Sequence, residues 1–470
     1  MKKVPNSIKA LYGLGFTAKG VKDGLFQVFL FFFYNQILGL DPFITGIALT
    51  VALVFDSITD PFVGAWSDHF RSEKWGRRHP FMMASAIPLG ITLYLLFIPP
   101  SGIGETGLFL WLTCFAILVR LSLTLFLVPA MSLGAEMSTN YEERTSITSF
   151  RVNTATFISP FIIFIGFTTF FASTPEFSNG MFRASSYPKF ALFAGVIATL
   201  TILISTYCTR SLITTIPQST QHGRFSFLSI WKGMKEAATL SSYRKLVIYI
   251  LILYIAIGIG VIFSPYYITY FFTLSEKEFG LILLAPAPAG VLAFILAPLL
   301  NKFWDKKVIL IATTVLTGLS FSAPYNLRFL GFFPENSSTL LFPLFFFFTC
   351  LGYMFLWISI SISHSMMADT IDEYELKYGE RKEGLFFASL TLAYKATVGL
   401  GSFFAGILLK MIEFPEQTNI DDVPIEAVNG IGYVGGPLVL FIYLLSVATI
   451  FSYPLSRERY EIIRQKLEGK

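Results

Sequence analysis

"AEMSTNYE", residues 135–142, returns about half a chain later as "ADTIDEYE", residues 368–375. Both read A-[DE]-x4-Y-E, and each follows directly on a long apolar run. One eight-residue match is a weak signal by itself. A match at half the length, at the same place in the order of apolar runs, marks a chain built from two related halves. Working outward from the two copies, twelve apolar runs lie near 10–39, 43–67, 79–98, 106–133, 147–171, 189–213, 245–271, 279–300, 307–325, 340–368, 384–412 and 428–455. A membrane-crossing helix needs roughly 20 such residues. With 54% hydrophobic and 14% charged residues, the 470-residue chain is too apolar for a soluble globule. The expectation is an all-α polytopic membrane protein with twelve transmembrane helices in two six-helix bundles, 1–213 and 245–455. A polar linker, 214–244, carries "FLSIWKGMKEA", which patterns as an amphipathic surface helix, and a basic tail follows at 456–470. The first run is too long for a cleavable signal peptide and continues directly into the second.

Charge sets the orientation. Arg183, Lys189, Lys277 and Arg328 fall in loops on one side, and the other loop lysines and arginines fall on the opposite side. The positive-inside rule then puts both termini in the cytoplasm, with a bacterial plasma membrane as the expected location. Cys114, Cys208 and Cys350 lie within spans without metal or disulfide spacing and read as small apolar residues. No nucleophile cluster, phosphate loop or metal spacing appears, so the chain reads as no enzyme, with no resident cofactor and no nucleic-acid partner. Its expected partners are a small-molecule solute, a monovalent cation and the lipid bilayer, and it reads as a monomer.

The second run contains "VFDSITDPFVGAWSD", residues 54–68. Asp56 and Asp60 stand four residues apart and share a helical face. A charge inside a bilayer costs at least ~2.5–3.5 kcal/mol, so such groups face a cavity or a partner. Counting from the hairpin "GLDPF" (39–43), Asp23 on the first run and the Asp56/Asp60 pair reach a similar depth, roughly 20–25 Å. The corresponding stretch of the second half, "LLAPAPAGVLAFILAPLL" (283–300), carries no acid. A job done once, in one half, explains that asymmetry. Two carboxylates supply hard oxygen ligands for Na⁺ or Li⁺, or can share a proton.

The loop "GAWSDHFRSEKWGRRHP" (64–80) resembles the loop signature of the major facilitator superfamily, through Gly64, Asp68 and the run Trp75, Gly76, Arg77, Arg78. "FDSITDPFVG" (55–64) together with "MMADTIDEYELKYGERKEGLFFASLTLAYKATVGLGS" (366–402) narrows the likeness. It resembles the glycoside–pentoside–hexuronide:cation symporter family, to which the melibiose permease belongs and the animal lysophospholipid symporters are related. The likeness covers nearly the whole chain. It implies a cation site at Asp56 and Asp60 with hydroxyls from Thr59, Thr124 and Thr391. It also implies solute-binding or coupling roles for Arg151 and Lys395. Lys395 lies at mid-bilayer, about 17 Å along its helix, and is expected to pair with Asp56 or Asp60 when no cation is bound.

The chain departs from that family's sugar grip. The two sugar-gripping acids of the melibiose permease align with Gly20 and Leu127, and its stacking tryptophan with Met131. Asp23 and Lys19 lie near the first of these positions. Arg120, deep in the fourth run, meets either an anionic group of a solute or Asp23. A cytoplasmic gate is expected from Asp68, Arg77, Arg78, Glu136, Arg144, Asp369, Asp372 and Arg381, as salt bridges between helix ends. The resulting expectation is Na⁺- or H⁺-coupled symport of a sugar-type solute (glycoside, pentoside or uronate) by alternating access. An anionic or amphipathic substrate such as a lysophospholipid, and an uncoupled facilitator, are the alternatives.

Overall fold

The structure, a computed structural model, describes residues 4–70, 72, 74–138, 141–177, 179–212, 233–380, 382–418 and 420–468. These residues form helices joined by short turns, with one isolated bridge between Thr174 and Phe177 and no named strand. Among the described residues, ten helices are long and apolar enough to cross a membrane. The two other expected spans are present as interrupted helices. Residues 6–37 pass through Asn6–Leu14, Thr17–Gly24 and the π-helical turns Leu25–Phe29 and Phe33–Ile37. Residues 141–170 run as Tyr141–Asn153, a π-helical turn Thr154–Ile158, and Ser159–Phe170. The first interruption coincides with close packing. A Cβ on Gly15 would fall 2.6 Å from Phe126 and 2.7 Å from the Ser205 hydroxyl.

Helix starts follow local chemistry. Asp41 accepts hydrogen bonds from the Phe43 and Ile44 amides at 2.8 and 3.0 Å, and Pro42 occupies the first helical position. Asp305 caps Lys306–Phe329 through the Lys307 amide at 2.8 Å, and its second oxygen receives the Arg457 amide at 2.8 Å. One carboxylate thus starts one helix and anchors the tail helix Arg457–Glu468.

The chain divides into two compact units. The first takes in residues of 1–224 with 275–284 and 415–419; the second takes in residues of 225–274, 285–414 and 420–470. In the first unit, Gly104–Glu136 packs against both Pro42–His69 and His79–Leu96, and the latter also packs on Ser186–Thr209. A Cβ on Gly195 would lie 2.8 Å from the Gly90 carbonyl oxygen. An aromatic cluster of Phe29, Phe33, Phe171, Tyr187 and Phe190 fills this bundle near the first hairpin.

In the second unit, Ser241–Tyr266 packs along Glu383–Met411, and Lys306–Phe329 along Leu341–Tyr378. A Cβ on Gly401 would lie 2.6 Å from the Gly258 Cα. Small residues of this kind let helix backbones approach where lipid offers no hydrophobic drive to association.

Candidate cation site

Helices Pro42–His69 and Gly104–Glu136 lie side by side, and this packing builds the site. The Thr124 hydroxyl sits between the two acids, 3.1 Å from Asp56 Oδ1 and 2.9 Å from Asp60 Oδ1. Asp56 and Thr124 are buried and Asp60 is half-buried. A hydroxyl carries one proton. It can donate to one of the two carboxylates at a time. The Thr59 hydroxyl donates to the Asp56 carbonyl at 3.2 Å, within its own helix. Pro61 and Pro129 stand inside these two helices. Each lacks the amide that would close on the carbonyl four residues earlier, that of Ser57 and that of Leu125.

Arg120 joins this group. Its Nη1 lies 3.4 Å from Asp56 Oδ2, and its guanidinium carbon 5.4 Å from the centre of the Phe26 ring. Arg120 is 4% exposed, and its Nε and Nη2 have no hydrogen-bond partner among the described residues. The expected alternative, Arg120 on Asp23, is not what the structure places. Asp23 lies 2.6 Å from both the Lys19 and the Lys22 ammonium. Lys19 is one turn away on the same stretch and Lys22 is adjacent, so local counter-charges satisfy Asp23 first. Arg120 then meets the acid of the neighbouring helix. Lys22 was absent from the sequence-derived set. It is buried, and its ammonium lies 5.2 Å from the Phe26 ring centre. The signal for it was present: a second lysine inside an apolar run, directly beside an acid.

The remaining expected residues are distributed. Arg151 places its guanidinium 5.5 Å from the Phe16 ring centre. Thr391 and Lys395 belong to the second unit, on helix Glu383–Met411, where Lys395 is half-buried and Thr391 exposed. The second unit's helix Pro286–Phe303 buries Ala289, Ala293 and Ala297 and has no acid.

The loop charges pair within their own units. Arg78 Nη2 lies 2.5 Å from Asp68 and 3.0 Å from Glu136, and Arg77 Nη2 lies 2.8 Å from Glu136. In the second unit Asp369 takes Lys306 at 2.6 Å, a lysine the sequence reading did not single out, and Asp372 accepts from the Tyr460 hydroxyl at 2.9 Å. The Arg144 side chain and Arg381 lie outside the described residues.

The sequence profile of the family described as "MFS/sugar transport protein" matches residues 11–457. The chain belongs to this family. The isoprimeverose transporter of Lactiplantibacillus pentosus is 25% identical to it, over 95% of this chain and 88% of that one. A putative sulfoquinovose importer of Escherichia coli strain K12 is 24% identical, over 98% and 93%. A bacterial homologue of the iron transporter ferroportin, solved in an inward-facing state, shares the fold at a TM-score of 0.63 and 12% identity, over 96% and 99%. The glycoside–pentoside–hexuronide:cation symporters are the branch of the major facilitator superfamily to which the chain belongs. It is an integral membrane transporter and not an enzyme.

Proposed function

We propose that this chain is a cation-coupled symporter of a sugar-type solute, with Asp56, Asp60 and Thr124 holding the coupling cation. One observation carries the reading: a single hydroxyl lies within hydrogen-bond distance of two carboxylates inside an apolar bundle. A Na⁺ ion, or a proton shared between the acids, satisfies that arrangement. Thr59, the carbonyls freed by Pro61 and Pro129, and Thr391 are further oxygen donors for the ion, and no resident cofactor is required. The two relatives named above are a transporter of a sugar and a putative importer of another, which supports a sugar-type solute here.

In this reading the cation neutralises the acid pair, the solute completes the site, and the two bundles expose it alternately to either face of a bacterial plasma membrane, with both termini cytoplasmic. Lys395 replaces the cation beside Asp56 or Asp60 in the return step. The ion pairs of Arg77 and Arg78 with Glu136, and of Lys306 with Asp369, hold helix ends together in one conformation and release them in the other. Coupling is reciprocal, so Na⁺ tightens solute by the same factor that solute tightens Na⁺. Sugar uptake into proteoliposomes, driven by a Na⁺ or a proton gradient, tests this. Accumulation above equilibrium is the expected outcome. Equilibration at the same rate with either gradient and with none identifies an uncoupled facilitator and overturns the reading.

A further inference from the structure

The repeat that marks the two halves also puts them in register. Thr124, the hydroxyl of the candidate cation site, stands eleven residues before Ala135, and Trp357 stands eleven before Ala368. Their helices have matching neighbours. Pro286–Phe303 packs on Leu341–Tyr378 in the second unit as Pro42–His69 packs on Gly104–Glu136 in the first. The chemistry at the repeat-related place differs: Pro286–Phe303 has no acid, and a tryptophan stands where the hydroxyl was. The indole is half-buried, and its N–H is buried with no hydrogen-bond partner among the described residues. A buried donor left so costs about 1–3 kcal/mol. Gly290 stands against it, and an added Cβ there would still lie 3.9 Å from both Cδ1 and Nε1.

The same helix face continues as a polar stripe. Ser361 and His364 follow Trp357 by four and seven residues, which puts all three on one side of Leu341–Tyr378. Ser361 and His364 are exposed, and neither has a hydrogen-bond or ion-pair partner among the described residues. The stripe reaches inward from the Lys306–Asp369 ion pair, by about 8 Å to His364, about 12 Å to Ser361 and about 18 Å to Trp357 at the helical rise per residue. By contrast, Pro286–Phe303 exposes Phe294 and Ile295, and Val439–Ile450 exposes Phe441 and Leu444. Those side chains suit lipid. A serine hydroxyl and an imidazole at span depth suit water or a polar ligand.

We propose that Trp357, Ser361 and His364 form the second unit's seat for the transported solute. A sugar has an apolar C–H face and a rim of hydroxyls. The indole face takes the first, and the indole N–H, Ser361 and His364 take hydroxyls: an aromatic platform with a few placed polar groups. This rests on the symport reading above and adds where its solute binds. The duplicated architecture is then split by task, with repeat-related places holding the ion in one unit and the solute in the other.

The test uses the full chain in lipid nanodiscs, with Cys114, Cys208 and Cys350 replaced by serine. In that background Ser361→Cys and His364→Cys react with a charged methanethiosulfonate, and the lipid-facing control Phe441→Cys does not. The solute probes are methyl glucoside, methyl xyloside and methyl glucuronide, each with and without Na⁺ and at acid and neutral pH. A probe that binds slows modification at both positions. Trp357→Ala lowers that probe's affinity about 10–100-fold, and Trp357→Phe, which keeps a ring and loses the N–H, about 3–10-fold. His364→Gln falls in the same range as Trp357→Phe, while the Na⁺ or proton response persists in all three. Thiols silent to the charged reagent, modification unslowed by a bound probe, or undiminished affinity in both tryptophan variants overturns the seat and leaves symport standing. A native chain that binds none of the probes under any of these conditions overturns the sugar-type reading, and the seat with it.

Discussion

Asp23 and Asp56 are both acids inside the first bundle, yet their surroundings differ in kind. Asp23 has an ammonium 2.6 Å from each carboxylate oxygen, both from its own stretch of chain. Asp56 shares a hydroxyl with Asp60 at 3.1 Å and has a guanidinium at 3.4 Å, all from other positions in the fold. The first is over-compensated by local sequence. The second is met at longer range, by a hydroxyl and a guanidinium of the neighbouring helix. Depth and residue type alone do not distinguish these two acids; where their counter-charges come from does.

Asp56→Asn attacks the comparison hardest. It should abolish cation-driven accumulation in proteoliposomes while solute exchange persists, and remove the about 10–100-fold gain in solute affinity that the cation confers. Asp23→Asn should act on the fold, because it strands Lys19 and Lys22 in the bundle. We expect a loss of about 3 kcal/mol in the unfolding of the detergent-solubilised protein, with the cation dependence of solute binding preserved. If Asp23→Asn instead changes only the ion response, the two acids do not differ as described. Thr124→Ala removes the shared hydroxyl and should weaken cation binding about 10-fold in a titration of Na⁺ against thermal shift; Thr124→Ser should restore it.

Glu143 gives the smallest effect and a control outside the spans. Burial would raise its carboxyl, but the Ser138 hydroxyl, the Val4 amide and Lys9 outweigh that and hold it below the usual carboxylate range. A lowered folded value means stability that is present at neutral pH and lost as pH falls through that value. The gap in melting temperature between native protein and Glu143→Gln should therefore be open at neutral pH and close in acid, without a change in Na⁺ affinity.

Much of this was legible in the sequence because it depends on distance along the chain. Run lengths located the spans, the "AEMSTNYE" and "ADTIDEYE" copies pointed to two halves, and spacing put Asp56 and Asp60 on one face. The partners of those groups were less legible, because they depend on how each helix is rotated about its axis. Counting residues from the hairpin 39–43 put Asp23 and Asp56 at one depth but could not say which of them faces Arg120. The same limit hid Lys306 as the partner of Asp369. The interruptions at Leu25–Phe29 and Thr154–Ile158 escaped too, since hydropathy is indifferent to whether a turn closes over four residues or five.

The touching backbones at Gly258 and Gly401 have a mechanical consequence. Lys395 lies less than two turns from Gly401 on the same rod, whose backbone at that point is seated directly against that of Ser241–Tyr266. Its ammonium cannot travel by shifting that rod alone. It travels with the two helices as a pair, like cargo on a stiff chassis.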